Sequence, residues 1–449
     1  MNIKAIYKAR GRILAAALFA CCAGVARAGE NAGVPPIKLG VGESIALAVK
    51  NNVTVKLAKA RTEAGKAREL LAASSFLPRL IGSVSQERTF RENLSAMGFN
   101  MGAIPSLIGP FNTFDARIIL AQDILNVSAY SGYKSAEETR KAAELRQELA
   151  SEQVAGAAVL AYVETLRSRK AIEAAEAGEV LARSLLDLAD EKHRVGAATG
   201  LDVARARTRL SEEKLRVLDS NTSFDEASVR FRHILGLPLN SGTELVDSLV
   251  FSSAPVVDLD EALSDALKDR LELRIAEREL KSDNYFLKAQ KDARIPRISL
   301  DAQAAFSGNQ PDDGAKMVGQ AGVSLKVPFY YGGAIDARVD EVSSARNANE
   351  AGFYELKVQV EEDVRLALKK LAAAAERVGA VEETVALAEN ELVMARDRFA
   401  AGVGDNLELT NSQTVLSRAR DSYVNALAGY HVLRVNLALA RGKMRGFKF

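Results

Sequence analysis

The chain has 449 residues, 60 of them basic and 58 acidic, for a formal net charge of +2. That balance excludes a nucleic-acid partner held by net charge, and the length exceeds what one hydrophobic core organises. With 26% charged residues, no Trp and only 10 Pro, the composition is that of long uninterrupted helices.

Lys4, Lys8, Arg10 and Arg12 flank or precede the apolar run Ile13 to Ala20, and Ala26-Arg27-Ala28 has the small-x-small form of a cleavage site. Residues 1–28 therefore read as a secretory signal peptide, the run being too short to span a bilayer. A rival reading takes Leu18-Phe19-Ala20-Cys21 as a lipoprotein-type site with Cys21 acylated, although Phe fits that site poorly. Cys21 and Cys22 are the only cysteines, so a cut after Ala28 removes thiol and disulfide chemistry. No later run is apolar and long enough for a transmembrane helix.

The rest of the chain repeats itself. Val41, Glu43, Ile45, Ala48 and Lys50 match Leu259, Glu261, Leu263, Ala266 and Lys268 at an offset of 218, and Leu77-Pro78-Arg79-Leu80 matches Ile295-Pro296-Arg297-Ile298. Later the offset is 206, taking Gly196, Leu201, Asp202, Val203 and Gly236 onto Gly402, Leu407, Glu408, Leu409 and Gly442. The difference places a longer loop in the first copy, within Arg91 to Asn112. The predicted organisation is a first repeat over 29–238, a linker over 239–258 and a second repeat over 259–449.

Each copy predicts an amphipathic helix (Glu43 to Ala73; Asp260 to Ala293) followed by two strands. In the second copy Ile298, Leu300, Ala302, Ala304 and Phe306 alternate with Ser299, Asp301 and Gln303, and Val323, Leu325, Val327 and Phe329 alternate with Ser324 and Lys326. The first-copy strands are set at Leu80 to Phe90 and Arg117 to Ile124. Between them lie Met97, Phe99, Met101, Ile104, Leu107, Ile108 and Phe111, read as an outer loop over a barrel mouth. A very long helix follows (Ser128–Val195; Ala334–Ala401), then a Gly turn and a returning helix (Leu201 to Leu235; Leu407 to Ala440), each long helix extending about 100 Å.

These hairpins carry a heptad seam. Val364, Ala367, Leu371, Ala374, Val378, Val381, Val385, Ala388, Leu392, Ala395 and Phe399 alternate steps of three and four, as do Leu409, Ser412, Leu416, Ala419, Tyr423, Ala426, Tyr430, Leu433, Leu437 and Ala440. Strands with one apolar and one polar face, in a secreted chain without membrane helices, point to a membrane β-barrel. Four strands cannot close a barrel, so several chains must pool theirs.

The two Leu/Ile-Pro-Arg-Leu/Ile motifs, Val-Pro-Phe-Tyr-Tyr-Gly-Gly at 327–333 and the turns at 194–203 and 398–409 occur in this order, and from about Val41 to Gly442 the chain resembles the TolC-like outer-membrane factor family. That resemblance implies an α+β membrane protein working as a homotrimer, with a 12-stranded β-barrel in the outer membrane and an α-helical barrel through the periplasm. It implies an exit duct of a tripartite efflux pump or type I secretion system, opened at the helical tips by a periplasmic adaptor. An inner-membrane transporter of RND, ABC or MFS type would supply the energy. Val195, Gly196, Gly200, Leu201, Gly402, Val403 and Gly404 fall at the adaptor-docking turns, where Gly also serves as an ordinary helix cap. Asp202 and Glu408 fall on the acidic pore constriction; Asn411 stands where the family has a second acid, and Gly404 where it has a basic gate partner. Asp202 and Glu408 also suit a helix N-terminus, and Arg205 and Arg207 are replacement partners or a solvated face.

Phe399 reads as seam packing. His193, His233 and His431 have no second ligand at metal spacing, and Met97 with Met101 lacks a third. No nucleophile–base pair, metal constellation or phosphate loop is present, so neither an enzyme nor a cofactor is predicted. The competing reading is a periplasmic coiled-coil structural or adaptor protein without a pore; an adaptor would carry one hairpin rather than two.

Overall fold

The computed structural model describes residues 37–93, 107–252, 257–312, 314–447 and 449. The predicted signal peptide, Cys21 and the loop positions Met97, Phe99, Met101 and Ile104 lie outside them. The elements run β1 (Ile37–Leu39), α1 (Val41–Asn51), α2 (Val53–Ala73), β2 (Arg79–Thr89), β3 (Glu92–Asn93), β4 (Leu107–Ile108), β5 (Phe111–Leu125), α3 (Val127–Arg194) and α4 (Gly200–Leu235). They continue with β6 (Thr243–Leu245), α5 (Leu259–Asp269), α6 (Leu271–Asp292), β7 (Arg297–Gly308), β8 (Lys316–Lys326), α7 (Ala334–Ala400) and α8 (Asn406–Ala440).

The heptad seam of α7 packs as its spacing requires. Val364 and Val378 are fully buried, Ala388, Leu392, Ala395 and Phe399 nearly so, and Leu409, Leu416 and Ala419 of α8 meet them. A larger cluster midway along the bundle gathers Tyr162 of α3, Phe231 and Leu235 of α4, Tyr430 and Val435 of α8, and Leu245 and Leu249 of the joining stretch. That stretch is therefore built into the fold: β6 pairs in parallel with β1, Leu39 opposite Leu245. Tyr162 holds the pair in place, its hydroxyl lying 3.1 Å from the Leu39 carbonyl and 2.8 Å from Asp247 Oδ2, the nearer acceptor for its one hydrogen.

The first helix of each copy is broken in two, where the periodicity predicted one. Asn52 takes extended backbone (ψ 137°), accepts from Thr54 N at 2.8 Å to cap α2, and donates to the Ile234 carbonyl at 3.0 Å. Arg270 breaks the second (ψ 117°), its guanidinium reaching Asp363 at 2.9 Å. Both breaks meet a glycine turn. A Cβ on Gly236 (φ 66°) would lie 2.8 Å from Asn51, and one on Gly442 (φ 70°) 2.9 Å from Asp269, so only glycine ends α4 and α8 there.

Strands β2, β5, β7 and β8 form one antiparallel sheet in that order. β5 begins at Phe111, earlier than the predicted Arg117, because Phe111 to Ala116 pair with Thr89 back to Val84. Further out, β3 and β4 extend the predicted loop as a short ladder, Glu92 opposite Ile108. β8 ends at Lys326, so Val327 and Phe329 lie in the turn into α7 rather than on the strand.

The register sorts the sheet into two faces. Leu80 and Val84, Ile118 and Leu120, Leu300, Ala302, Ala304 and Phe306, and Met317, Ala321, Val323 and Leu325 share one face. Ser83, Ser85 and Glu87, Asp115 and Arg117, Ser299, Asp301 and Gln303, and Gln320 and Ser324 share the other. Polar pairs cross the second face, with Arg117 Nε on Asp115 at 2.6 Å and Ser299 on Ser324 at 2.8 Å. Every residue of β8 is exposed, as is nearly all of β2, and neither outer edge is paired among the described residues. No described helix is long and apolar enough to cross a membrane.

Candidate functional site

The two hairpin turns lie side by side at one end of the helices. Each long helix closes with a Schellman motif: Ala197 N donates to the Lys192 carbonyl at 2.8 Å and Gly196 N to His193 at 3.0 Å. In the second turn Val403 N donates to Arg398 at 3.0 Å and Gly402 N to Phe399 at 3.1 Å. Gly196 (φ 78°) and Gly402 (φ 76°) supply the left-handed residue. Gly200 and Gly404, at the same turns, do not. Gly200 is the first residue of α4, and Gly404 is needed for close approach, since a Cβ there would lie 3.0 Å from Arg398 Cβ.

An acid takes part in the N-terminal cap of both returning helices, beside the cap residue Thr199 in α4 and as the cap residue itself in α8. Thr199 accepts from Asp202 N at 3.3 Å, while Asp202 Oδ2 accepts from Thr199 N at 2.8 Å and from its hydroxyl at 2.7 Å. The Thr199 hydroxyl and N–H hold the Asp202 carboxyl below its ordinary range, helped by Asn406 and Arg205. A cap contributes about 1 kcal/mol, more than the exposed Arg205 contact at 4.0 Å, so the capping box sets where this carboxylate sits. Arg207 turns away, to Asp190 at 3.6 Å. In the second turn Asp405 is the cap, accepting from Glu408 N at 2.7 Å. Glu408 is left exposed and pairs with Arg398 at 3.2 Å. Asn411 is exposed three residues farther along α8.

Sequence reasoning missed what joins the turns. Asn406 is 4% exposed and its Nδ2 donates to the Asp202 carbonyl at 2.8 Å. Lys192 Nζ donates to the Ala400 carbonyl across the same gap. A polar residue opening a seam helix, as Asn406 does ahead of Leu409, is the one sequence signal available. Phe399 is 6% exposed within the seam cluster, as its spacing required. Val195, Leu201, Val403 and Leu407 instead project outward, 74%, 58%, 71% and 49% exposed. Together the tips present an apolar rim with acidic groups set just behind it.

The histidines are apart from one another. His193 Nδ1 lies 2.9 Å from the Ala198 carbonyl, and His431 Nε2 lies 3.0 Å from the Val250 carbonyl.

Comparison with known proteins places this geometry. The family model described as outer membrane efflux protein matches residues 44–237 and 262–443. The alkaline protease secretion protein AprF of Pseudomonas aeruginosa is 23% identical over 405 residues, 87% of this chain and 83% of AprF. Outer membrane protein TolC of Escherichia coli is 20% identical over 348 residues, 74% of this chain and 70% of TolC. The Campylobacter jejuni CmeC outer membrane channel superposes with a TM-score of 0.80 at 19% identity, covering 90% of this chain and 85% of CmeC. With both of its helix–strand–hairpin halves matched, the chain belongs to the outer membrane efflux protein family.

Proposed function

We propose that three copies of this chain form a passive exit duct across the outer membrane and periplasm, serving a tripartite efflux pump or type I secretion system. Four strands from each chain close a 12-stranded barrel whose apolar face meets lipid, and the helices continue it as an α-barrel. The observation that carries this reading is the sheet: one face mostly apolar, the other mostly polar, and two long edges without partners among the described residues. A second feature agrees with it. Leu201, Ala204, Thr208, Ser211, Leu215, Leu218 and Thr222 repeat the three–four alternation along α4, yet all are exposed. An equally unpartnered stripe runs along α7 through Leu366, Ala373, Ala380, Leu387 and Met394, and in a trimer the next copy covers such seams.

In this reading Asp202 and Glu408, with Asn411 beside them, line the constriction at the tip. The rim of Val195, Gly196, Gly200, Leu201, Gly402, Val403 and Gly404 docks a periplasmic adaptor coupled to an inner-membrane transporter. The test is single-channel recording of the purified protein in planar bilayers beside Asp202→Asn/Glu408→Gln, which keeps the side-chain shapes. Small cation-preferring openings that lose that preference in the double variant are expected. A protein that stays monomeric and never inserts, where a control barrel does, refutes the duct.

A further inference from the structure

The repeated Leu/Ile-Pro-Arg-Leu/Ile motif sets an arginine at the first residue of both β2 and β7. Register then decides which face each arginine takes. Arg79 stands opposite Ala121, on the face of Ser83, Ser85 and Glu87, and Arg297 stands directly opposite Lys326. All three cations therefore lie on the polar face, at the end of the sheet that joins the helices. They line one open cavity of about 580 Å³ with Asp123 and Asp292. Those carboxylates are already engaged. Asp123 accepts from Asn126 at 2.8 Å and lies 3.9 Å from Arg297, while Asp292 accepts from Ser131 at 2.6 Å. Among the described residues, Arg79 and Lys326 form no ion pair.

Like charges directly opposite on antiparallel strands destabilise a sheet. Arg297 and Lys326 form such a pair, and a serine at either position would relieve it. At the far end of the same face the charges balance, with Glu87, Asp115, Arg117 and Lys316 present and Arg117 on Asp115 at 2.6 Å. At the helix-side end Asp123 and Asp301 share the face with the three cations, so one positive charge is in excess there, and the Arg297–Lys326 pairing runs against the local rules of sheet stability. Such a departure marks a functional position.

We infer that Arg79, Arg297 and Lys326 form an anion-binding girdle that selects for multivalent carboxylate or phosphate solutes. The inference rests on the trimeric duct reading, because only barrel closure makes the polar face a lumen wall ringed by three cations from each chain. Guanidinium and ammonium groups bind such oxygens by charge-assisted hydrogen bonds. The duct then carries two filters of opposite sign in series, acidic at the helical tip and basic where the barrel meets the helices.

The test uses the full-length protein in planar bilayers under a KCl gradient, with inorganic tripolyphosphate added on the barrel side. Tripolyphosphate blocks the wild-type current, and Arg79→Gln/Arg297→Gln/Lys326→Gln requires at least about tenfold more for the same block. The chloride-to-potassium permeability ratio falls by about twofold or more in dilute salt, the order expected of a unit charge roughly 8 Å away in water. Arg79→Lys/Arg297→Lys retains both properties, because charge rather than shape carries them. Should the triple variant fail to assemble, Lys326→Gln on the exposed edge strand reads out the same shift at smaller size. A conducting variant with unchanged block and permeability ratio overturns the girdle and leaves the duct. A wild-type protein that never conducts overturns both.

Discussion

Replacing Glu213 by glutamine removes the one negative charge at the centre of a buried network while leaving its shape. The Glu213 side chain is 2% exposed, 2.6 Å from Arg209 and 3.2 Å from Arg216. Gly178 makes room for it, since a Cβ on α3 at that point would lie 2.6 Å from Glu213 Oε2. Arg216 then reaches across to α8, donating to Ser417 at 2.5 Å and pairing with Asp421, so the network ties the first hairpin to the second. Breaking a buried pair by removing one partner costs about 3–5 kcal/mol, because the opposing charge is left desolvated. Asp421 is 45% exposed and still serves Arg216, which puts Glu213→Gln near about 3 kcal/mol. That corresponds to roughly a hundredfold loss of hydrogen-exchange protection in α4 around residues 205–220. Glu212→Gln is the control: it meets the same Arg209 at 3.1 Å but is 58% exposed, and should cost under about 1 kcal/mol. Less than about a fivefold change for Glu213→Gln, or equal changes in the two variants, refutes the reasoning.

Two further outcomes are expected. Leu300→Arg, on the apolar face of β7, should abolish heat-modifiable oligomers in outer-membrane extracts, at about 2–4 kcal/mol per copy, whereas Ser299→Arg on the polar face should leave them. His431 titrates in the opposite sense to a paired histidine. Burial, with Arg434 adding to it, pushes its imidazole below 6.5 where it stacks on Phe449 and contacts Val250. Below about 6.5 the unfolded chain binds the extra proton, so stability is full above that pH and declines as pH falls toward the lowered value. Melting of the purified protein at pH 8 and pH 5 should differ less in His431→Gln than in wild type.

The long hairpins were legible because α7 from Val364 to Phe399 and α8 from Leu409 to Ala440 keep one apolar step pattern, and burial by a partner helix demands nothing more. Strands β7 and β8 were legible for the same reason, their alternation matching the two faces. The breaks at Asn52 and Arg270 were hidden because apolar spacing continues across them. They are imposed by tertiary partners, Ile234 for Asn52 and Asp363 for Arg270. The β1–β6 ladder joins Leu39 to Leu245, and three-residue strands carry too little alternation to announce a pairing so distant. At the tip, the turns and acids could be located, but not the division of labour between Asp202, fixed in a capping box, and Asp405, which caps and leaves the Glu408 carboxylate to pair with Arg398. That choice depends on which oxygen reaches which N–H, and spacing alone leaves it open.

The open edges of β2 and β8 also govern how the molecule must be made. In the trimeric duct proposed above, each hairpin is stabilised by neighbours close in sequence and can zip up early on its own chain, whereas the sheet finds its missing partners only on other chains. Assembly therefore ends in a concentration-dependent step, and until then every copy carries two sticky margins through the periplasm. A cell producing this chain faster than it can be delivered to the membrane accumulates that half-finished species, so supply and escort, more than intrinsic stability, set the yield of finished ducts.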